Sequence, residues 1–525
     1  MGVLALLFLG VVMRKLVRFL FSRYFISAIV ILAEFVLLFY LMTFAYGYSL
    51  FAISALVILD VAGVLSLITR NANPEFKVSW LIVMAIPLFG TLLYFIFYSR
   101  KVSKKEARLM KKISENIEGA CASRGAEHAL NELCEDGSLA FGKAHAIIND
   151  DASASVYRNT ESTFFSSGED MFESMMRDIG RAERFVFLEY FIIEEGKMWD
   201  SIHELLRRKV KDGVEVRVLY DDIGCMKTLP AKYNKRLNSE GIRCLRFSPV
   251  TPRITSSHNN RDHRKILIVD GVVGYTGGIN IADEYINEVK RFGHWKDGGI
   301  RLVGDAVEGL LKLYLSVWDF SAGFVSENSG YFNNKLINKN EDSGYYIPFG
   351  SGPAPIYTRP VGKNALLNII NQAQKYVYIT TPYLIIDYDL TESLRNAALR
   401  GVDIRIITPG IADKRLVKIM TKSAYSYLME AGIGIYEYTP GFIHEKTVVS
   451  DDLYAVVGTI NLDYRSLTHH FENAVWIYSS PTVIDIKDRF LSTLDVCKAQ
   501  QMKDARLNPL EVFLRNLLIV FAPLL

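Results

Sequence analysis

Cysteine is scarce in this chain, and an excess of either charge is missing. Five cysteines occur in 525 residues, Cys121, Cys134, Cys225, Cys244 and Cys497. They are odd in number, scattered and without CxxC spacing, which excludes a disulfide-framed scaffold or a zinc knuckle and leaves reduced or buried thiols. Sixty basic side chains stand against 57 acidic ones, for a formal charge of +3. Apart from one basic cluster after residue 99 there is no cationic arm or domain, so the footprint of a nucleic-acid binder is lacking. Low-complexity tracts are lacking too. A cleavable signal peptide is not expected: the first thirteen residues are apolar with their charges behind them, and no small-residue cleavage site follows.

Long apolar runs, by contrast, are present. Segments 24–46, 49–69 and 78–98 are mostly apolar, and about 20 residues suffice to cross a hydrocarbon core. They predict a membrane anchor over 1–99 with two or three transmembrane helices. Glu34 and Asp60 fall inside the first two, where a carboxylate must face a helix interface unless the segment fails to span. Arg14, Lys15, Arg18 and Arg23 precede the first run, and Arg100, Lys101, Lys104, Lys105, Arg108, Lys111 and Lys112 follow the third. Both flanks favour the cytoplasm, which two spans satisfy and three do not. The heavier cluster places the rest of the chain on the cytoplasmic face of a cell membrane. Residues 100–150 read as a charged juxtamembrane linker. The closing amphipathic segment, 506–525, is too short to span and is interrupted by Arg515. It either lies among lipid headgroups or packs on the core.

The most informative feature is a pattern that occurs twice. His263-x-Lys265-x4-Asp270-x6-Gly277-Gly278-x-Asn280 returns as His444-x-Lys446-x4-Asp451-x6-Gly458-Thr459-x-Asn461, 181 residues further on. Identical internal spacing implies a duplicated half-site joined across an internal pseudo-twofold. The residue types suit a phosphodiester. One imidazole can attack phosphorus to form a phosphohistidine, and the other can protonate the leaving alkoxide and later deprotonate the incoming hydroxyl. Lys265, Lys446, Asn280 and Asn461 supply donors where the transition state carries its negative charge. Gly277, Gly278 and Gly458, with Thr459 at the position of Gly278, are expected to let backbone approach a phosphate. His263, Lys265, Asp270, His444, Lys446 and Asp451 form the expected catalytic set, the two aspartates as turn and hydrogen-bonding residues rather than metal ligands. No metal or cofactor is needed. Each imidazole also needs an acid on its other nitrogen. The candidates are Asp297, 34 residues after His263, and Glu472, 28 residues after His444.

Duplication extends beyond the motifs. Residues 184–193 parallel 376–386, and 213–219 parallel 401–407, each pair of strand-like runs separated by a segment of helical period such as 202–210 or 390–399. Strands alternating with helices predict an α/β sandwich in each half. The halves are placed at 151–325 and 353–505, with an Asn/Ser/Gly-rich connector at 326–352.

The stretches 259–271, 277–285, 295–297 and 213–222 resemble the phospholipase D superfamily, and the longer match, from about residue 73 to the end, resembles its bacterial cardiolipin synthases. That resemblance implies two phospholipase D-like domains, a membrane lipid substrate, and transfer of phosphatidyl from one phosphatidylglycerol to another with release of glycerol. By analogy it implies His263 as nucleophile and His444 as acid/base, with a bell-shaped pH profile belonging to the pair. A hydrolytic or transphosphatidylating phospholipase D would share these residues and differ in what reaches the intermediate. A nuclease is disfavoured by the apolar runs, and a noncatalytic scaffold by two intact motifs. Gly278 and Thr459 depart from the serine found there in many members.

Overall fold

The computed structural model describes residues 49–521 apart from 70–73, 85–88, 99–103, 122–123, 136–138, 250–259, 333–343, 354–355 and 358. The chain divides into two units, Met1–Ser99 and Arg100–Leu525.

In the first unit the expected span 24–46 and Glu34 lie outside the described residues. The 49–69 run forms the helix Ser49–Ile68. The 78–98 run does not form one helix: Pro74–Met84 and Phe89–Tyr98 are separate and pack on each other. Gly90 makes that packing possible, since a Cβ there would lie 2.0 Å from the Val83 carbonyl oxygen. In the sequence Pro87 falls between these two segments, and proline removes an amide donor that a continuous helix needs. Asp60 accepts a hydrogen bond from Thr91 Oγ1 at 2.5 Å, which satisfies the carboxylate at a helix interface. Among the described residues no helix is long and apolar enough to cross a membrane.

The second unit holds nineteen strands among its described residues. In chain order they are β1 (Thr160–Phe165), β2 (Phe185–Tyr190), β3 (Glu215–Asp221), β4 (Arg243–Phe247), β5 (Lys265–Val269), β6 (Val273–Gly277), β7 (His294–Lys296), β8 (Gly299–Gly304), β9 (Tyr345–Ser351) and β10 (Tyr376–Thr380). Then come β11 (Leu384–Ile385), β12 (Asp403–Pro409), β13 (Gly434–Tyr438), β14 (Gly441–Ile443), β15 (Thr447–Ser450), β16 (Tyr454–Gly458), β17 (Leu462–Asp463), β18 (Glu472–Tyr478) and β19 (Cys497–Ala499). One sheet runs β1-β8-β6-β5-β2-β3-β4 and the other β19-β13-β12-β10-β15-β16-β18-β9. The duplication is thus structural: β2-β3-β4 and β10-β12-β13 are parallel, while β5-β6-β8 and β15-β16-β18 are antiparallel extensions. Helices cover the sheets, among them Gly168–Gly180, Lys197–Lys211, Val307–Ala322, Val361–Gln372 and Pro481–Leu494. Strands covered on both faces read as nearly unbroken buried runs, as in Phe-Val-Phe-Leu-Glu-Tyr of β2.

Two expected boundaries change. The 100–150 stretch is built as three helices, Lys104–Ala120, Arg124–Glu135 and Leu139–Asp150. Their apolar residues Ile113, Ile117, Leu133 and Ile147 join the main core, so the segment is part of the catalytic unit rather than a linker. The 326–352 connector ends in β9, which pairs with β18 as an edge strand of the second sheet. The closing segment forms the helix Pro509–Phe521, which contacts the helix Arg415–Met429 while Leu510, Phe513 and Ile519 stay exposed.

Candidate active site

Two short crossings between the halves build the site. β7 pairs in parallel with β14, and Asp262 bridges Phe471. At these crossings the amide of His444 donates to the Lys296 carbonyl at 2.7 Å, and that of His263 to the Phe471 carbonyl at 2.8 Å. Each histidine is therefore clamped to the residue preceding the other half's acid. The side chains cross in the same way. Nδ1 of His263 lies 2.9 Å from Oε2 of Glu472, and Nδ1 of His444 lies 2.7 Å from Oδ2 of Asp297. The two acids expected from the sequence lie against these nitrogens, each reaching the histidine of the opposite half. With Nδ1–H donating to a carboxylate, Nε2 keeps its lone pair.

The surroundings are buried. His263 and His444 are each 7 % exposed, and Lys265 and Lys446 less. Lys265 Nζ donates to the His263 carbonyl at 2.6 Å, and Lys446 Nζ to the His444 carbonyl. Burial lowers Lys265 to about 8 and Lys446 to about 7, although both feel Glu472 and Asp297. That shared field makes the two half-sites one electrostatic unit. Burial likewise lowers His263 to about 3 and His444 to about 4 against the pull of their carboxylates. Burial opposes ionisation of the acids as well, yet His263 holds the Glu472 carboxyl, and His444 with Lys446 the Asp297 carboxyl, below the usual range. Both imidazoles are thus neutral at pH 7, and a phosphodiester anion entering beside them would favour protonation of one.

The motif aspartates are hydrogen-bonding residues at turns, as their position suggested, whereas the expected role of the glycines shifts. Asp270 accepts the amides of Glu183, Arg184 and Phe185, each at 2.8 Å, and Asp451 those of Gln374, Lys375 and Tyr376 at 2.8 to 3.0 Å. They sit at the ends of β5 and β15 remote from the histidines, with φ of 55° and 59°. Gly278 gives room to an acid rather than to a phosphate, because a Cβ would lie 2.0 Å from Asp297 Oδ1. Thr459, its counterpart, donates Oγ1 to Glu472 Oε2. Gly277 and Gly458 admit neighbouring strands: a Cβ would lie 2.4 Å from the Gly299 Cα and 2.3 Å from the Asn473 carbonyl oxygen, respectively. Asn280 is held by the Ile192 amide at 3.1 Å and donates to the Tyr285 hydroxyl at 2.7 Å, leaving one N–H of its amide. Asn461 Oδ1 has no hydrogen-bond partner among the described residues.

Sequence reasoning missed Arg264 and His470. Arg264 is 1 % exposed and donates to the Glu472 carbonyl at 3.3 Å, the Leu313 carbonyl at 3.2 Å and the Tyr357 hydroxyl at 2.9 Å, so it anchors the acid's backbone. Its place inside the first motif was the available signal. The His470 ring centroid lies 5.5 Å from that of His263. His263, His470 and Glu472 bring possible ligand atoms within 4.8 Å of one another. The charge of Lys265 beside His263 opposes a second cation there.

The sequence and structure of known proteins match this arrangement. The family model described as "Cardiolipin synthase, PLD-like domain" matches residues 175–290 and 366–494, and one described as "Phospholipase_D-nuclease N-terminal" matches 58–97. An uncharacterized protein of Streptococcus mutans is 41% identical over 442 residues, 83% of this chain and 93% of its own length. Cardiolipin synthases of Halalkalibacterium halodurans and Staphylococcus aureus are 32% and 31% identical, covering 86% and 81% of this chain and 90% and 86% of their own. The crystal structure of phosphatidylserine synthase from Haemophilus influenzae aligns with a TM-score of 0.55 at 15% identity, over 69% of this chain and 93% of that one, a likeness of fold. The site defines a phospholipase D-like protein with two α/β halves. Within that class, the chain belongs to the cardiolipin synthase family.

Proposed function

We propose that this protein is a phosphatidyltransferase that makes cardiolipin from two molecules of phosphatidylglycerol. The observation that carries the reading is the pair of crossed dyads, His263–Glu472 and His444–Asp297. Two imidazoles with Nε2 free and two buried lysines beside them suit a double displacement at phosphorus. In the first step Nε2 of His263 attacks phosphorus, the bond to the glycerol oxygen breaks, and His444 gives that oxygen a proton. In the second, His444 takes a proton from the hydroxyl of another phosphatidylglycerol, whose oxygen attacks phosphorus as the bond to His263 breaks. Lys265, Lys446, Asn461 and the remaining N–H of Asn280 face the non-bridging oxygens. Glu472 and Asp297 fix the tautomers, with Thr459 and Gly278 holding the acids in place.

The membrane is part of this reading. The apolar runs of the 1–99 unit form its anchor, the basic cluster at 100–112 faces the anionic cytoplasmic leaflet, and the exposed Leu510, Phe513 and Ile519 contact the lipid interface. The halves extend over 151–325 and 345–505, with 104–150 packed on them.

The test is incubation of purified full-length enzyme in liposomes with phosphatidylglycerol alone, followed by mass spectrometry. Cardiolipin and glycerol in equal amounts, lost in His263→Ala and His444→Ala, are expected. Phosphatidic acid as main product would make the enzyme a hydrolase and overturn the reading.

A further inference from the structure

The pseudo-twofold supplies an internal control for one residue that neither motif contains. Trp295 stands two positions before Asp297, and its Nε1–H donates to Asp297 Oδ2 at 3.5 Å. Its ring lies 5.4 Å from His444. His470 stands two positions before Glu472, its ring 5.5 Å from His263, and its Nδ1 is 3.8 Å from Glu472 Oε1. The same place in each half thus holds a ring nitrogen facing the orienting carboxylate. In one half it is an indole, in the other an imidazole.

The imidazole's contact is incomplete. His470 is 8 % exposed, and neither ring nitrogen has a hydrogen-bond partner among the described residues. Glu472 Oε1 is a buried oxygen in the same condition, while Oε2 serves His263 and Thr459. A separation of 3.8 Å is too long for a hydrogen bond, but an approach of about 1 Å would make one. Two buried polar groups left facing each other carry a desolvation cost that the bond would remove.

We propose that His470 is a positioning residue, which in the working enzyme donates Nδ1–H to Glu472 Oε1 and so completes the carboxylate that orients His263. It is the counterpart of Trp295 on Asp297. The His444 half, walled by Trp295, Tyr285 and Phe442, already has that donor in place.

The inference rests on His263 being a catalytic imidazole. It is tested on the full-length enzyme with His470→Gln, His470→Trp and His470→Ala, each checked for an unchanged Tm, by measuring kcat and KM of phosphatidyl transfer. His470→Ala should lose about 10- to 100-fold in kcat with KM little changed, the usual scale for removing a partner of an orienting group. His470→Gln and His470→Trp, which keep a donor, should recover most of the rate. Equal losses in all three variants would overturn the proposal. An active His263→Ala would instead overturn the assignment of the site itself.

Discussion

The two halves of the catalytic unit have the same strand order around their histidines and the same crossed acid, yet their walls differ. Around His444 the neighbours are aromatic: Trp295, Tyr285 and Phe442. Around His263 they are Phe191 and His470, with an unpartnered oxygen on Glu472. Gly278 faces Thr459 across the pseudo-twofold, and each abuts the acid that serves the other half's histidine. Duplication preserved the histidine, lysine and acid of each half and released the groups around them. A symmetric scaffold can thereby give two similar imidazoles different duties.

The comparison breaks most sharply at the histidines. His263→Ala and His444→Ala should each cost roughly ten-thousand-fold in kcat, because groups that act as a unit fail together. Only the acid/base variant should accumulate a phosphatidyl-enzyme with a labelled donor, detectable as a mass increment on the remaining histidine. His444 in that role predicts the adduct in His444→Ala. The crossed acids come next. Glu472→Gln should reproduce the defect of His263, and Asp297→Asn that of His444, at about 10³- to 10⁴-fold, since an amide selects the wrong tautomer. Combining Glu472→Gln with His263→Ala should add little, whereas own-half pairing would make Asp297→Asn the silent partner of His263→Ala.

The motif aspartates should behave differently. Asp270→Ala and Asp451→Ala each strip three backbone amides of their acceptor. Each should lower stability by about 3 kcal/mol or more, with kcat per folded molecule changed less than about threefold. Denaturant titration beside active-site counting separates the two effects.

The smallest effects are electrostatic. Binding of phosphatidylglycerol to the neutral imidazoles should take up a proton at pH 7, visible as a buffer-dependent heat in calorimetry. The sign for stability follows from the same depression. Histidines lowered to about 3 and 4 from 6.5 contribute fully above pH 6.5, and the contribution is lost as pH falls toward 4. Replacing both by asparagine should flatten the fall of Tm over that window.

Much of this was legible along the chain. The doubled spacing named both histidines and lysines, the apolar runs named the strands, and Asp297 and Glu472 stood out as acids near each motif's end. Asp270 and Asp451, read as turn and hydrogen-bonding residues, share the motif spacing with His263 and His444, but a strand carries them away at about 3.3 Å per residue, so nearness in sequence was not nearness in space. Misreadings had a common origin. Gly278 was expected to admit a ligand because the group that fills its space, Asp297, comes from the link after β7. Segment 78–98 is apolar throughout, and hydropathy does not register the close approach of Gly90 to Val83 that marks two packed helices.

By itself the sequence determined the chemistry: one imidazole and one ammonium group at fixed spacing in each half, with an acid further along each, suit a phosphodiester and little else. Only the tertiary structure decided which carboxylate serves which imidazole, and that His470 and Trp295 occupy equivalent places. The reason is physical. Periodicity reports contacts within an element, whereas the orienting bonds join residues 209 and 147 positions apart through a three-residue strand pair and a single bridge, too short to leave a pattern.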